Sequence, residues 1–332
     1  MGLSKKNKIS VVVCFISLVV GFSVSYGLAP APRPKNMLDS EASFAFKQDT
    51  YLFNKDALHA SPPKDRWVVL MSHGLSATYY EWNELADYLR KKDSTVLLSR
   101  VLLGGHGDNV ERFRSSNWHV WQKPLLDEYQ RLVDLGFKKI IVVTSSTSAL
   151  LALEALTNPE SPFAKFPPQE VIMVDPFYRF SKWYQEIPYW FSEFNMLPIL
   201  ELIAGDQGTL EGLHPMEMRY WHIDTPLTVI ASLGDLADTV VNRLESNFRL
   251  PKETKIRIFS AKQDTTIDPR SGELLFRSLK AHSQSHQVEF AFIDSRYHVF
   301  TRLLWRTRIP QKKDRENQEH VFKLINKVIH SG

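Results

Sequence analysis

The sequence predicts an α/β fold with a mostly parallel central sheet flanked by helices. From residue 66 onward, short apolar runs rich in β-branched residues alternate with stretches whose apolar residues recur at helical spacing. The composition, 43% hydrophobic and 23% charged, is that of an ordinary globular protein. The 332 residues contain no internal repeat and are enough for one large domain.

Six runs are typical of strands that are buried on both faces of a sheet. They cover residues 67–72, 95–103, 139–143, 171–174, 255–259 and 288–293. Helical spacing occurs at residues 80–91, 118–135 and 148–156. Strands that alternate with helices indicate parallel pairing through right-handed crossovers. After residue 174, no further sheet strand is expected until about Pro226.

The N-terminus predicts export. Lys5, Lys6 and Lys8 precede an uncharged run over residues 9–29, so residues 1–29 are either a cleavable signal peptide or a signal anchor in the inner membrane. In both cases the basic flank stays inside and the rest is exported. The sequence has no Asn-X-Ser/Thr acceptor, which favours a periplasmic or cell-envelope location. Residues 30–40 are Pro-rich and predict a linker.

Charge and cysteine content exclude several classes of protein. Forty-one basic against 37 acidic residues give a net charge of +4, too little for a nucleic-acid-binding surface. Cys14 is the single cysteine and lies in the leader, so neither a disulfide scaffold nor a Cys/His zinc site is expected. We expect neither a metal nor a cofactor.

Chemistry in open α/β sheets lies at the carboxyl ends of the strands, and one such end carries a serine turn. The run 140–143 is followed by small polar residues and then by a helical stretch. A sharp strand-to-helix turn exposes a serine and needs small residues two positions to either side. Ser146 fits best, flanked by Thr144 and Ser148, whereas centring the turn on Ser145 or Ser148 puts a larger apolar residue at a flank.

Two later strand ends carry an acid and a histidine. Asp264 follows the run 255–259, with Asp268 as the alternative acid, and His298 follows the run 288–293. An acid placed there can orient a histidine, which can then act as a general base. Asp264 can instead be a helix cap, with Thr265 and Thr266 nearby.

The order Ser146, Asp264, His298 resembles that of the α/β-hydrolases. Two glycine-containing turns extend the resemblance towards carboxylesterases and monoacylglycerol lipases: the His-Gly turn at residues 73–74 and the Gly-Gly-His-Gly loop at 104–107. Trp118, Trp121 and Asp127 resemble the helix that follows that loop in these enzymes. The usual Gly-x-Ser-x-Gly pattern is absent around the serine.

The resemblance implies a hydrolase domain over residues 41–332 with a cap at about 177–225, called here the cap segment. Nine of its residues between 177 and 194 are aromatic, among them Trp183, Tyr184 and Trp190, which are candidates for contacting an apolar substrate group. The resemblance also implies that the backbone N–H groups of Leu75 and Thr147 bind the oxyanion.

The implied activity is cleavage of carboxylic esters with an apolar acyl or lipid-like group, with Ser146 as nucleophile, Asp264 as orienting acid and His298 as base. The partner is then a small-molecule ester, and the membrane if the leader is retained. Fold and triad do not fix the leaving group, so a thioesterase, an acyltransferase or a proline-type aminopeptidase stays open. So does an inactive relative that serves as a binding module.

Overall fold

The structure is a computed structural model. It describes residue 52 and residues 66–180, 186–193, 196–198, 200, 207–209, 214–246, 248–283 and 287–330. The predicted leader, residues 1–29, and the linker, residues 30–40, lie outside these residues. Within the described part of the chain, no helix is both long and apolar enough to span a membrane.

The predicted α/β architecture is confirmed. The strands are β1 (Trp67–Ser72), β2 (Leu97–Val101), β3 (Lys139–Ser145), β4 (Glu170–Val174), β5 (Gln207–Thr209), β6 (Asp224–Pro226), β7 (Lys255–Ala261) and β8 (Val288–Ile293). Six of them form one sheet in the order β2-β1-β3-β4-β7-β8, and every neighbouring pair is parallel. The predicted run 95–103 is shortened at both ends.

Helices cover both faces of this sheet. They are α1 (Asn83–Lys92), α2 (Val110–Arg114), α3 (Trp118–Asp134), α4 (Thr147–Thr157), α5 (Pro162–Lys165), α6 (Ile187–Glu193), α7 (Leu227–Glu245), α8 (Ser271–Lys280) and α9 (Lys312–His330). Short 3-10 helices occupy Tyr79–Trp82 and Glu217–Arg219.

The strands bury alternate side chains in two apolar layers. Val68 and Leu70 of β1 pack with residues of α3, α4, α7 and α8, whereas Val69 and Met71 pack with α1 and α9. Each large apolar side chain buried in this way contributes about 1.5–3 kcal/mol. The near-continuous apolar runs in the sequence reflect this burial on both faces.

The region before α7 corrects one expectation. Asp224–Pro226 is a strand, but it pairs antiparallel with β5 rather than with the central sheet, and the 19-residue helix α7 begins at Leu227. Thr228, Val229 and Ile230 are β-branched and favour a strand locally. Packing of α7 against α4 and α6 overrides that preference.

Candidate active site

The sheet order brings four strand ends side by side. Strands β3, β4, β7 and β8 are neighbours, and all are parallel, so their carboxyl ends meet at one edge. Ser146 follows β3, Asp175 follows β4, Asp264 follows β7 and His298 follows β8. The folded chain thus brings residues more than 150 positions apart to one place.

Ser146 occupies a strained turn between β3 and α4. Its φ of 48° and ψ of −118° lie in a region that side-chain-bearing residues rarely adopt, at a cost of about 1–3 kcal/mol. The turn is held because Ser146 N–H donates to Val174 O at 3.0 Å, and Phe177 N–H donates to Ser146 O at 3.1 Å. Ser146 is 7% exposed.

The residues that replace the usual glycines are built into this turn. The hydroxyl of Thr144 is buried and donates to Ile172 O at 3.2 Å. Ser148 Oγ accepts a hydrogen bond from Ser145 N–H at 3.0 Å. The hydroxyl hydrogen of Ser148 is shared between two carbonyl acceptors, Ser72 O at 2.7 Å and Ser145 O at 2.9 Å. The hydroxyl groups of Thr144 and Ser148 therefore form hydrogen bonds with backbone groups of the turn and its neighbouring strands, which glycines at these positions could not do.

Asp264 and His298 form a hydrogen-bonded pair. The distance from His298 Nδ1 to Asp264 Oδ2 is 2.6 Å. The other carboxylate oxygen, Oδ1, accepts from the N–H groups of Thr266 at 2.7 Å and Ile267 at 3.2 Å. Asp264 therefore caps a turn rather than a helix, since α8 begins only at Ser271. The alternative acid Asp268 instead pairs with Arg270, which lowers its pKa.

The electrostatics of this pair favour a base that can hold a proton. Burial opposes the charged imidazole, but the negative charge and hydrogen bond of Asp264 raise the pKa of His298 above its ordinary value. Because Nδ1 carries the proton that faces Asp264, Nε2 is left to accept a proton. His298 is 17% exposed, so the imidazole can be reached.

Asp175 is a further buried acid that sequence reasoning missed. One of its oxygens accepts from Ala261 N–H at 2.6 Å and the other from Phe300 N–H at 3.3 Å. Burial, followed by the charge of Asp264, raises the pKa of Asp175 to about 7. The signal was available, because an acid directly after the strand run 171–174 occupies a strand end like the others.

The same three groups are the one potential metal site among the described residues. Ligand atoms of Asp175, Asp264 and His298 lie within 4.8 Å of one another. Nδ1 of His298 is already bonded to Asp264, and both oxygens of Asp175 accept backbone N–H groups. A cation would have to displace these bonds, so the donor set fits a proton-transfer site better than a metal site.

The predicted oxyanion donors belong to two segments, Leu75 to the turn after β1 and Thr147 to the first turn of α4. Neither Leu75 N–H nor Thr147 N–H hydrogen-bonds to any described residue. Gly74 allows the turn after β1 to approach Ser146 closely, since a Cβ atom on Gly74 would lie only 3.1 Å from Ser146 Cβ. His73 anchors this turn: its Nε2 accepts from Leu103 N–H at 3.0 Å and its Nδ1–H donates to Gly74 O at 2.8 Å.

The segment after His298 is tied to the cap segment. Arg306 donates to the carbonyl oxygens of His298 and Val299, and its Nη1 lies 3.8 Å from the buried Glu217. Glu217 also pairs with Arg302, which is only 7% exposed. Burial, with the nearby charge of Arg302, lowers the pKa of Arg306 to about 9.

Two more histidines, His106 and His222, pack beside the site without contacting the Asp264–His298 pair. His106 Nδ1–H donates to Gly104 O at 3.1 Å, and no described residue bonds to its Nε2. The ring of His222 stacks on Phe113 at 4.3 Å, and the backbone N–H of His222 donates to Ser76 O at 2.7 Å. Burial lowers the pKa of His106 to about 4 and that of His222 to about 3.

The aromatic candidates for substrate contact are only partly described. Trp183 and Tyr184 lie outside the described residues. Trp190 is 2% exposed and packs with Ile187, Phe191 and Leu200 in a separate apolar cluster. Its environment is that of a packing residue.

Comparison with solved structures identifies the fold. The chain is similar to a structure from work on LipS and LipT, two metagenome-derived lipolytic enzymes, with 16% identity, 81% of this chain and 95% of that chain covered, and a TM-score of 0.60. It is also similar to a monoglyceride lipase from Saccharomyces cerevisiae bound to a substrate analogue, with 12% identity, 82% and 89% covered, and a TM-score of 0.59.

A hydrolase from Agrobacterium vitis S4, itself described only by that class, matches with 15% identity, 82% and 91% covered, and a TM-score of 0.51. No protein-family model and no curated protein matches the sequence. At these identities the likeness shows the fold alone, so the chain has the α/β-hydrolase fold.

Proposed function

We propose that this protein is a serine hydrolase that cleaves carboxylic esters with an apolar acyl or lipid-like group. The observation that carries the proposal is the Asp264–His298 pair at 2.6 Å, placed on neighbouring strand ends with a strained Ser146. Backbone strain at a residue other than glycine clusters at active sites, which favours an active enzyme over an inactive binding module. The similar lipolytic enzyme and monoglyceride lipase support the choice of substrate class.

The proposed reaction proceeds through an acyl-enzyme. His298 Nε2 removes the Ser146 hydroxyl proton while the oxygen attacks the ester carbonyl carbon. The carbonyl oxygen becomes negative and accepts hydrogen bonds from Leu75 N–H and Thr147 N–H. The carbon–oxygen bond to the alcohol then breaks, and the alcohol leaves with the proton from His298. Water repeats these steps, which releases the acid and restores Ser146.

Hydrolysis of p-nitrophenyl esters of graded chain length tests this proposal. We expect turnover by the wild type and a loss of at least about 10³-fold in kcat for Ser146→Ala. Ser115→Ala, an exposed serine at the end of α2, is the matched control and should keep full activity. Cleavage of thioesters or aminoacyl amides without any cleavage of esters would transfer the proposal to one of the other leaving groups.

We also propose export, with residues 9–29 either cut or retained as an anchor in the inner membrane. The basic flank ahead of the uncharged run supports this orientation. A C-terminal alkaline phosphatase fusion expressed in a bacterium should be active if the body is exported. An inactive but intact fusion would contradict export.

A further inference from the structure

The proposed mechanism leaves one buried carboxylate beside the serine turn without a role. Glu81 lies in the 3-10 helix Tyr79–Trp82 and is 4% exposed. Its Oε1 accepts a hydrogen bond from Gly74 N–H at 2.9 Å and another from the Ser145 hydroxyl. Gly74 belongs to the turn after β1 and Ser145 ends β3, so one oxygen joins two separate parts of the site.

These two parts carry the two proposed oxyanion donors. Leu75 follows Gly74 directly, and Thr147 comes two residues after Ser145. Donors stabilise a developing oxyanion only when both are held at hydrogen-bond distance from the position where the charge forms. Nothing in the strand pairing alone fixes the turn at Leu75, because β1 ends at Ser72. His73 anchors this turn to Leu103, and the Glu81 oxygen adds its connection to Ser145 at the end of β3.

We infer that Glu81 is a positioning residue that clamps the two halves of the oxyanion hole together. The inference rests on the proposed function. Glu81 contacts no reacting atom; it acts through the N–H of Gly74 and the hydroxyl of Ser145. The clamp needs an acceptor with two lone pairs rather than a charge, and the carbonyl oxygen of glutamine has the same capacity.

The negative charge of Glu81 brings no benefit to an oxyanion nearby. Its second oxygen, Oε2, lies 3.8 Å from where a Cβ atom on Gly74 would be, and that position is 3.1 Å from Ser146 Cβ. A negative charge repels a developing negative oxygen rather than stabilising it. The clamp therefore predicts that Glu81→Gln works well, whereas Glu81→Ala does not.

The test compares Glu81→Gln and Glu81→Ala in the full chain, with p-nitrophenyl butyrate as substrate and a trifluoromethyl ketone as a reversible transition-state analogue. We expect Glu81→Ala to lower kcat by about 10²–10³-fold with little change in KM, the loss typical of a misplaced oxyanion donor. The dissociation constant of the ketone should rise in parallel. Glu81→Gln should recover most of the lost kcat. Glu111→Ala, an exposed acid on α2, is the matched control.

Two results overturn the role of Glu81: an Ala variant with near-wild-type kcat, or equal losses in the Gln and Ala variants. If Glu81→Ala does not fold by circular dichroism, Ser145→Ala replaces it, because it removes only the hydrogen bond between Glu81 and the end of β3. That variant should lose about 3–10-fold in kcat, the equivalent of one hydrogen bond, and an unchanged kcat overturns the clamp. A wild type that turns over no ester overturns the proposed function itself, whereas a fully active Glu81→Ala overturns only the clamp.

Discussion

The buried His106 makes the stability of the protein depend on pH. Its ring packs edge-on against Phe113 at 4.8 Å and Trp121 at 5.9 Å, away from solvent. Burial lowers its pKa from the ordinary 6.5 to about 4, so the folded state holds it neutral where the unfolded state binds a proton. Its contribution is fully present above pH 6.5 and is lost as the pH falls towards 4.

The magnitude follows from the size of this shift. Each pKa unit corresponds to 1.36 kcal/mol, and pH 4.5 is about two units below the unfolded value. His106 should therefore cost about 2.5 kcal/mol of unfolding free energy between pH 7.5 and pH 4.5. Asp175 acts in the opposite sense: its raised pKa of about 7 means that its ionisation weakens the fold as the pH rises. The total pH profile thus mixes both signs.

A variant separates the two contributions. In His106→Asn the amide can still donate to Gly104 O, but nothing titrates there. Urea unfolding at pH 7.5 and pH 4.5 gives the free energy of each protein, and the contribution of Asp175 cancels in the difference. The variant should be less stable at pH 7.5, because ring packing is lost, and the gap should shrink by about 2.5 kcal/mol at pH 4.5.

His320→Asn, at an exposed histidine of α9, is the matched control and should leave the difference from wild type independent of pH to within about 0.5 kcal/mol. A difference in unfolding free energy between wild type and His106→Asn that stays constant from pH 7.5 to 4.5 would show that His106 does not destabilise the folded protein at low pH. It would mean that the imidazole is solvated or charged in the folded protein.

Three more substitutions test the site and its support. Ser146→Gly should raise the unfolding free energy by about 0.5–1 kcal/mol, because glycine accepts a φ of 48°, while ester turnover disappears; lower stability in urea contradicts the strain. Gly104→Ala should lower the unfolding free energy by about 1–3 kcal/mol, since its Cβ would lie 2.1 Å from Val120 O. Gly136→Ala is the control: its Cβ meets open space at a φ of +91°, so the cost should be only about 1 kcal/mol. Equal losses in the two variants would contradict close packing at Gly104. Asp264→Asn should lower kcat by about 10²–10⁴-fold with KM nearly unchanged in the p-nitrophenyl assay; unaltered kcat contradicts the role of the acid.

Much of the fold could be predicted because burial leaves a direct trace in the sequence. Strand β1 has the predicted bounds because it is covered on both faces and is therefore a continuous apolar run. Strand β8 also has the predicted bounds, although it lies at the edge of the sheet and Glu289 and Phe292 are exposed. Helix α9 is harder to predict, because the basic residues 312–315 are mostly exposed and give no apolar helical spacing. The structure places them in the first turn of a helix whose Val321 and Ile325 are buried against the sheet.

Some residues of the candidate site could likewise be predicted from the sequence, and one could not. Ser146, Asp264 and His298 could be proposed because each follows a recognisable strand, and strand ends meet at one edge. Glu81 follows no strand; it reaches Ser145, 64 positions away, only because the 3-10 helix lies over the turn after β1. A contact of this kind depends on tertiary packing and has no sequence period.

The central claim is that Ser146 is a nucleophile activated by His298 and Asp264. Labelling with a fluorophosphonate probe, followed by peptide mass spectrometry, tests it most directly, because the probe bonds only to an activated serine. We expect one adduct per chain on Ser146, lost in Ser146→Ala and strongly slowed in His298→Ala. A folded wild type that takes up no probe, or carries it on another residue, would show that Ser146 is not the activated nucleophile.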